Sequence, residues 1–529
     1  MLIDVMEIDA AQYASIAREM SENKSFLHVF HRNYDYLDKP PLLFWLSSIS
    51  FILFGVSNFT YKLPSVIIAL LGIYSTYRFT KLYYNKTVAL YSAIILATSQ
   101  AMFQMTNDIR TDTMLTGFII FSTWQFSEYI SSKRFRFLLF GSIGIGLAML
   151  TKGPIGLIAP AIAIFSDLLL KKKWRMIFHW KWIISLIIIT IILIPMCYGL
   201  YTQFDLHPEK YVYGLQGPSG IKFFFWTQSF GRITGDIYWN NHTPVYYFCT
   251  TILWDFQPWV LLLIPAIFIK IYKLFKNKFK INENSEVITL FGFVLVFCMM
   301  SLSKYKLPHY IFMIFPFASI ISAEFIYNLK EKISRKISIS YFIYMHLFVI
   351  LIFTGYFYIF PVKSIILPII SIFFLVINWI IFFKIKNFKE NIVMSSALMM
   401  VLFHLFMSLH FYPQLLKYQS TGIAGKMVKE ANKPNDMFYY YKNLGHALDF
   451  YGQRITPEAR PEMLDTLKKG TWIYVYASDL EEIYKYSKKY KIIKDFDNYK
   501  VTELSFDFLL PQRRSKAIKK RYLLEKIKD

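Results

Sequence analysis

The feature that most constrains this chain is a series of long apolar stretches separated by shorter polar connections. A helix needs about 20 apolar residues to cross the hydrocarbon core of a bilayer. Twelve stretches reach or approach that length: 64–80, 88–104, 113–130, 136–151, 154–170, 182–201, 246–269, 287–303, 309–328, 338–360, 364–383 and 392–411. Hydrophobic residues make up 55% of the chain, which is typical of polytopic membrane proteins. We therefore predict an all-α membrane protein with about 12 transmembrane helices.

Lys and Arg residues are concentrated in alternate connections between these stretches. Examples are KKKWR at 171–175, the lysine-rich connection 270–280 and the cluster at 330–336, whereas the other short connections hold few cations. The positive-inside rule assigns the cation-rich connections to the cytoplasm. The net charge of +24 is then explained by cytoplasmic helix flanks, and no nucleic-acid partner is predicted.

This orientation places three longer segments outside the cytoplasm. The predicted organisation is a first extracytoplasmic loop with interfacial helices at 1–63, a transmembrane domain at 64–411 that includes an extracytoplasmic loop at 202–245, and a small C-terminal extracytoplasmic α/β domain at 412–529. The short apolar run at 42–57 follows two prolines, which favours an interfacial helix. An acidic outer segment has to be carried across the membrane, so we expect a further helix ahead of Met1, for a total of about 13.

The predicted C-terminal domain shows strand and helix patterns. Aromatic and β-branched residues predict strands at 437–441 and 471–477, and a helical pattern follows near 479–489. The basic ending, 512–529, is predicted to be a solvated helix.

Several cations break the charge pattern because they lie at the outer ends of the predicted helices. They are Lys39, Arg110, Lys152, Arg232, Lys304 and Lys306. A cation held beside the hydrocarbon core needs an anionic partner, and a phosphate group suits Lys and Arg. The set therefore predicts a site for a lipid phosphate or pyrophosphate at the outer membrane surface. The alternative is that each cation only reaches toward membrane phosphates.

Three carboxylates in the outer segments have a structural explanation as well as a chemical one. Asp9 with Gln12 fits a capping box at a helix start, and Asp112 fits a cap of the third predicted span. Asp38 fits a polar turn before Lys39. The alternative for each acid is a role in proton transfer or in orienting a substrate.

Histidines and cysteines show no metal-ligand spacing. His242 and His309 lie on the predicted outer side without an HExxH pair, and the three cysteines lie in apolar runs without CxxC spacing. We predict no metal site and no cofactor. A divalent metal ion stays open as an alternative without support.

Several motifs, taken in order, resemble one superfamily. They are D-x3-Y-A-x3-R-E-M from Asp9, YLDKPPLLFWL at 36–46, YKLPS at 61–65, Arg110-Thr-Asp112, LTKGPIGL at 150–157, FFFW ahead of Arg232 and SKYKLPHY at 303–310. Their order and spacing resemble the GT-C integral-membrane glycosyltransferases, in the branch that contains lipid A aminoarabinose transferase and the protein O-mannosyltransferases. LDFYGQRI at 448–455 is similar to part of a small extracytoplasmic domain that some of these enzymes carry.

The resemblance implies an inverting glycosyltransferase that moves a sugar from a polyprenyl-phosphate donor to an extracytoplasmic acceptor such as lipid A, another glycolipid or protein. It implies a multi-pass protein of the bacterial inner membrane. Asp9 would act as a general base or orient the acceptor, and Asp112 would orient the acceptor or hold the donor sugar. Lys39, Arg232 and Lys304 would bind the donor phosphate. Tyr13, Tyr36, Asp38, His242 and Tyr310 would bind substrate.

The chain departs from the family pattern at two positions. Where the aminoarabinose transferase has Glu before the lysine of KPP and His after the FFFW-like stretch, this chain has Asp38 and Ser229. The resemblance therefore carries over no metal site at these positions.

Two other functions stay open. A polymerase or ligase of surface polysaccharide would share the donor class and the topology. A transporter or flippase of a lipid-linked sugar would share the number of spans, but the paired, Gly/Pro-broken segments of inverted-repeat transporters are not evident in the sequence.

Overall fold

The structure is a computed structural model that describes residues 3–228, 231, 241, 243–283 and 285–528. Within this part of the chain, we number the α-helices of seven or more residues in order. They are α1 (Asp9–Asn23), α2 (Leu42–Phe54), α3 (Asn58–Tyr83), α4 (Lys86–Ala97), α5 (Gln100–Asn107), α6 (Thr111–Ser132), α7 (Phe135–Lys152), α8 (Ile155–Leu170), α9 (Lys181–Leu200), α10 (Tyr247–Asp255), α11 (Val260–Lys276), α12 (Ile288–Ser301), α13 (Phe315–Tyr327), α14 (Glu331–Thr354), α15 (Ile366–Lys384), α16 (Phe388–Phe406), α17 (Ser420–Glu430), α18 (His446–Gly452) and α19 (Leu480–Tyr486).

The strands form two short hairpins and one larger sheet. They are β1 (Phe30–His31), β2 (Tyr34–Asp35), β3 (Tyr211–Val212), β4 (Leu215–Gln216), β5 (Phe438–Tyr440), β6 (Trp472–Tyr476), β7 (Tyr490–Asn498) and β8 (Lys519–Lys526). The pairs β1–β2 and β3–β4 are antiparallel hairpins, and the other four strands pair in the order β5-β6-β8-β7.

Seven helical segments in the described residues are long and apolar enough to cross a membrane, and the bent pair α4 and α5 would be an eighth. The seven are Asn58–Tyr83, Phe135–Lys152, Trp174–Asp205, Pro308–Tyr327, Glu331–Ile359, Ile366–Lys384 and Phe388–Tyr418. The predicted multi-pass helical architecture is therefore confirmed. The number of twelve stays a prediction, because α8 and α12 are shorter, with 16 and 14 residues. The predicted stretch 246–269 is also divided between α10 and α11 at Pro258, which has no N–H for a helical hydrogen bond.

Helix α6 lies at the centre of the membrane part and is buried on almost all sides. Gly117 lets α6 approach the backbone of α3, since a Cβ atom at this position would lie 2.5 Å from the carbonyl oxygen of Ile68. Small residues allow such close approach between membrane helices. The hydroxyl of Thr116 donates to the carbonyl of Asp112 at 2.7 Å. This bond lies within α6 and satisfies the hydroxyl of Thr116 inside the buried helix.

Helix α1 has a buried face that packs on α2 and on α18. Lys24 ends α1 in the left-handed conformation at φ 54°. The following hairpin, β1–β2, turns at Arg32 and Asn33, with φ angles of 56° and 63°, as tight two-residue hairpins require. This hairpin brings His31 and Arg32 back toward the C-terminal part of the chain.

The C-terminal region, residues 412–529, combines the four-stranded sheet with α17, α18 and α19. Strands β5 and β6 fall within the predicted strands at 437–441 and 471–477, and α19 lies in the predicted helical run. The predicted helix at the basic ending is wrong. Residues 519–526 form β8, which pairs with both β6 and β7, because long-range strand pairing outweighs local helical preference.

Several titratable groups have shifted pKa values where the β1–β2 hairpin meets α18. Burial, His446 and Arg32 lower the pKa of His31 to about 3, and burial with Arg32 lowers the pKa of His446 to about 4. The two imidazole rings lie 5.0 Å apart. Burial raises the pKa of Glu19 to about 7, and this carboxylate accepts a hydrogen bond from the backbone of Arg32.

Protonation of the two histidines is expected to weaken this contact. Below pH 6.5 the two histidines bind protons in the unfolded chain but not in the folded one, so their stabilising contribution is lost as the pH falls toward about 4. Glu19 acts in the opposite sense, since its folded form keeps a proton between pH 4.5 and about 7, and so do Glu7 and Asp449, because burial raises the pKa of both carboxyl groups. The contribution of the histidines is therefore measured as the difference in thermal unfolding midpoint between the wild type and a variant without them, over the range from pH 6.5 to 4.

The double variant His31→Asn/His446→Asn is expected to lose less stability than the wild type as the pH falls from 6.5 to 4. His207→Asn is the matched control, because His207 is exposed and should leave the wild-type slope unchanged. The same slope in the double variant and in the wild type would contradict this account.

Candidate active site

A cavity of about 120 Å³ opens where parts of the chain that are distant in sequence meet. The start of α1, the turn before α2, the start of α6, the end of α7 and the stretch 305–310 all contribute to it. The lining residues are Asp9, Tyr13, Asp38, Lys39, Thr111, Asp112, Lys152, Tyr305, Leu307, His309 and Tyr310. The cavity therefore combines carboxylates, lysines and aromatic hydroxyls in one place.

Asp9 is the first residue of α1 and faces Arg110 across the cavity wall. The cap position is Ile8, which makes no side-chain cap hydrogen bond, so the predicted capping box of Asp9 with Gln12 is wrong. The Asp9 Oδ2 atom instead lies 2.5 Å from Nη1 of Arg110. Arg110 also contacts Asp108, with Nε 2.9 Å from Oδ2. Two carboxylates therefore fix the guanidinium, and the guanidinium in turn holds Asp9 at the cavity.

Asp112 and Lys152 form a buried ion pair. Asp112 is the second residue of α6 and does not cap it, while Lys152 is the last residue of α7. Their side chains are only 4% and 9% exposed. The ammonium of Lys152 lies 3.8 Å from the ring centre of Tyr310, and His309 Nε2 lies 3.8 Å from Asp112 Oδ2. Burying such a pair costs free energy of desolvation, so stability alone does not explain why the pair is present, and a functional role is expected.

The Asp112–Lys152 pair allows a test that separates stability from function. Removing one partner of a buried pair costs about 3–5 kcal/mol because the other charge is left uncompensated. Asp112→Asn and Lys152→Met are each expected to lower the thermal midpoint, and the double variant should recover most of the loss. All three variants should lose the transferase activity that the resemblance implies. Wild-type turnover in the double variant would remove this pair from the active site.

Lys39 lies between two cavities. Its ammonium is 2.8 Å from Asp38 Oδ2 and its side chain is 9% exposed. The second cavity, of about 20 Å³, is narrow and mostly apolar. Its lining residues are Leu27, Val29, Tyr36, Leu37, Lys39, Pro40, Pro41, Met196, Leu200, Gln203, Phe224 and Gln228. A single ammonium group is thus accessible from a polar chamber and from an apolar one.

Tyr13 supplies a neutral hydroxyl to the polar cavity. Burial raises the pKa of this phenol well above its ordinary value, and the nearby carboxylates of Asp9 and Asp38 raise it further. The hydroxyl therefore keeps its proton at all ordinary pH values and can donate a hydrogen bond to a substrate oxygen.

The structure brings most of the predicted site residues together. Those that line the polar cavity are Asp9, Tyr13, Asp38, Lys39, Asp112 and Tyr310. Tyr36 lines the apolar cavity instead. Lys304 is exposed, and its neighbour Tyr305 is the residue that reaches the cavity wall. Arg232 and His242 lie outside the described residues. The roles of all ten stay predictions.

Sequence reasoning gave no individual role to Arg110, Lys152 and His309, although it included the two cations in the set predicted to meet a phosphate. Arg110 and Lys152 were visible as cations at the outer ends of predicted spans and within two of the motifs. Their carboxylate partners lie 101 and 40 residues away in the chain, so no local pattern shows the pairing. His309 follows a proline in SKYKLPHY and carried no metal-ligand spacing. Among the described residues, no group of three or more His, Cys, Asp and Glu side chains converges as a metal site.

Comparisons with known proteins agree with this architecture. The family model for dolichyl-phosphate-mannose-protein mannosyltransferase matches residues 38–198. An uncharacterized protein of Aquifex aeolicus is 24% identical over 505 residues, or 92% of each chain. An undecaprenyl phosphate-alpha-4-amino-4-deoxy-L-arabinose arabinosyl transferase of Wigglesworthia glossinidia brevipalpis is 27% identical over 341 residues, 62% of this chain and 56% of the relative. This chain spans about half the length of the curated arabinosyl transferases that it matches.

A solved structure shows the same fold. ArnT from Cupriavidus metallidurans bound to undecaprenyl phosphate superposes with a TM-score of 0.72 at 15% identity, and the match covers 99% of this chain and 94% of that one. The chain is therefore similar in sequence to aminoarabinose transferases and shares the fold of ArnT. Both findings agree with the resemblance to the GT-C glycosyltransferases that the motifs indicated.

Proposed function

We propose that this protein is an inverting glycosyltransferase that moves a sugar from a polyprenyl-phosphate donor to an extracytoplasmic acceptor. The observation that carries the proposal is the polar cavity, in which Asp9 and Asp112 lie with Lys39 and Lys152, joined through Lys39 to an apolar cavity. A lipid-linked sugar needs both environments, one for its carbohydrate and one for its hydrocarbon chain.

The leaving group of such a donor is the lipid phosphate, which gains negative charge as the bond to the sugar breaks. A positioned cation that neutralises this charge lowers the barrier. Lys39 is placed for that task, since it stands where the apolar and polar cavities meet. Arg232 and Lys304 are proposed as further phosphate ligands from the family pattern.

The apolar cavity is too small to enclose an isoprene unit, so we propose that the first units of the donor lie along the apolar side chains that line it. Leu27, Leu37, Met196, Leu200 and Phe224 provide hydrocarbon contacts there, and burial of each methylene group contributes about 0.8 kcal/mol. Undecaprenyl phosphate is the lipid in the ArnT complex with the same fold, which supports a polyprenyl phosphate as the donor lipid.

Asp9 is proposed to accept the proton of an acceptor hydroxyl. Its carboxylate lines the polar cavity and is held there by Arg110, and a carboxylate positioned in this way can act as a base. If the acceptor is a phosphate, as on lipid A, no proton has to be removed and Asp9 orients the acceptor instead. Asp112 is proposed to orient the acceptor or to hold the donor sugar, with Tyr13, Tyr36, Asp38, His242 and Tyr310 as substrate contacts.

The cavity is proposed to face the outer side of the bacterial inner membrane. The charge pattern of the connections supports this orientation, because the cation-rich loops lie at the opposite helix ends. The acceptor would then be lipid A, another glycolipid or a protein in the extracytoplasmic space.

The test uses the purified full chain in lipid nanodiscs with a radiolabelled polyprenyl-phosphate sugar. Separate reactions receive lipid A, a serine/threonine peptide or a glycan acceptor, and products are identified by mass. Transfer of a single sugar to one acceptor is expected, whereas repeated extension would indicate a polymerase. Movement of the labelled lipid across vesicles without any glycosylated product would indicate a flippase and contradict the proposal. Mass spectra of lipid A and surface glycoproteins, with and without the gene, would identify the acceptor in the cell.

A further inference from the structure

The segment immediately before the catalytic helix is held by the C-terminal region. The carboxylate of Glu7 accepts three hydrogen bonds: from the backbone N–H of Ala447 at 2.8 Å, from the backbone N–H of His446 at 3.2 Å and from the hydroxyl of Thr421 at 2.9 Å. All three donors lie more than 400 residues away in the sequence. A partly buried carboxylate with three donors is strongly fixed in position.

The backbone of the same segment is bound by a second residue of the C-terminal region. The side-chain amide of Gln419 donates to the carbonyl of Val5 at 2.9 Å and accepts from the N–H of Glu7, also at 2.9 Å. Gln419 is only 4% exposed. Because the Gln419 amide both donates and accepts a hydrogen bond, it fixes which backbone groups of residues 5–7 face Gln419 as well as their distance from it.

Helix α1 depends on this anchor for its start. The cap residue Ile8 makes no side-chain hydrogen bond, so α1 lacks the local device that usually fixes a helix start. The hydroxyl of Ser15, two turns along α1, donates to the carbonyl of His446 at 3.2 Å. The fixed points of α1 on this side are therefore in the C-terminal region, and Asp9 lies two residues after Glu7.

We infer that Glu7 is a positioning residue through which the C-terminal region places the Asp9 carboxylate in the active site. This inference rests on the proposed function. The hydrogen bonds of the Glu7 carboxylate go to Thr421, His446 and Ala447, which are outside the lining of the polar cavity. It acts by holding the chain at the point where α1 begins, and a displacement of about 1 Å at a reacting group lowers turnover by about 100-fold.

The experiment compares steady-state kinetics of Glu7→Ala with those of the wild type in nanodiscs. We expect kcat to fall about 10- to 100-fold, with the KM for the polyprenyl-phosphate sugar unchanged, because Lys39 and the apolar cavity are not altered. Glu7→Gln keeps one oxygen for Ala447 and Thr421 and should restore part of kcat. A purely structural role would lower the amount of active protein without this graded rescue.

Gly445→Ala disturbs the same contact from the other side. A Cβ atom at Gly445 would lie 2.7 Å from Glu7 Oε1 and 2.4 Å from Thr421 Cγ2, so the carboxylate must shift while its charge and its backbone remain. The expected result is again a lower kcat at unchanged KM. This variant tests the inference even if Glu7→Ala does not fold.

Asp4→Asn is the matched control within the same segment. Asp4 pairs with Lys426 at 2.7 Å in a partly exposed ion pair, and such pairs contribute little, so wild-type kinetics are expected. Wild-type kcat in both Glu7→Ala and Gly445→Ala would overturn the inference while leaving the proposed function intact. Failure of the wild-type protein to transfer sugar would instead overturn the proposed function.

Discussion

Replacing Asp9 with asparagine is expected to abolish sugar transfer while the protein remains at wild-type abundance in the membrane. Asparagine has nearly the same shape but cannot accept a proton, and loss of a positioned base lowers the rate by about 10²- to 10⁴-fold. Arg110 keeps its contact with Asp108, so the surrounding structure should persist. Single-turnover transfer from a labelled polyprenyl-phosphate sugar measures the effect.

The control for this prediction is Asp9→Glu, which keeps the carboxylate but moves it by one methylene group. If catalysis tolerates a small shift of the carboxylate, Asp9→Glu should retain a measurable fraction of the wild-type activity. If catalysis requires the exact position of the carboxylate, the retained activity should be lower. Normal turnover in Asp9→Asn would exclude Asp9 from proton transfer. If lipid A phosphate proves to be the acceptor, the same variant should lose affinity for the acceptor and keep more of kcat.

Replacing Lys39 with alanine is expected to produce a loss of comparable size. Removal of one preorganised group that stabilises developing charge costs about 10²- to 10³-fold in kcat, and the donor should also bind more weakly because its phosphate loses a cation. Lys39→Met retains the apolar stem and therefore separates the loss of charge from the loss of packing. Donor titrations with undecaprenyl phosphate as a competing ligand measure both effects.

Lys210→Ala is the matched control for the lysine. Lys210 also lies in a predicted outer loop and pairs with a carboxylate, Asp35, at 3.0 Å, but it lines neither cavity. It should therefore behave as the wild type. Equal activity of Lys39→Ala and Lys210→Ala would show that Lys39 is a structural cation and would weaken the whole assignment.

The sequence identified candidate site residues where their charge departed from the pattern of the rest of the chain. Cations such as Lys39 and Lys152 stand out because the charge pattern places almost all others at the opposite helix ends, and the structure brings both to one cavity. Asp9 was ambiguous, since a capping box explained it equally well. The choice between cap and ion pair depends on Arg110, which no local pattern connects to α1.

Long-range pairing also limits what could be predicted for the C-terminal region. The basic ending contains good helix formers, yet residues 519–526 form a strand between β6 and β7. The anchor at Glu7 was invisible for the same reason, because its donors come from α18 and from Thr421. An apolar stretch predicts a membrane span only when its helix is long enough to cross the bilayer core. Helix α12, with 14 residues, is shorter than the core requires.

The position of Lys39 between the two cavities has a consequence for substrate selection. A lipid whose tail lies on the apolar side presents its head group to the ammonium of Lys39. A sugar attached to that head group then lies beside the carboxylates of the polar cavity. A water-soluble sugar phosphate has no tail to hold it there. Wasteful consumption of soluble sugar phosphates should therefore be negligible, and the enzyme would distinguish its substrate by where the molecule resides before it recognises the sugar.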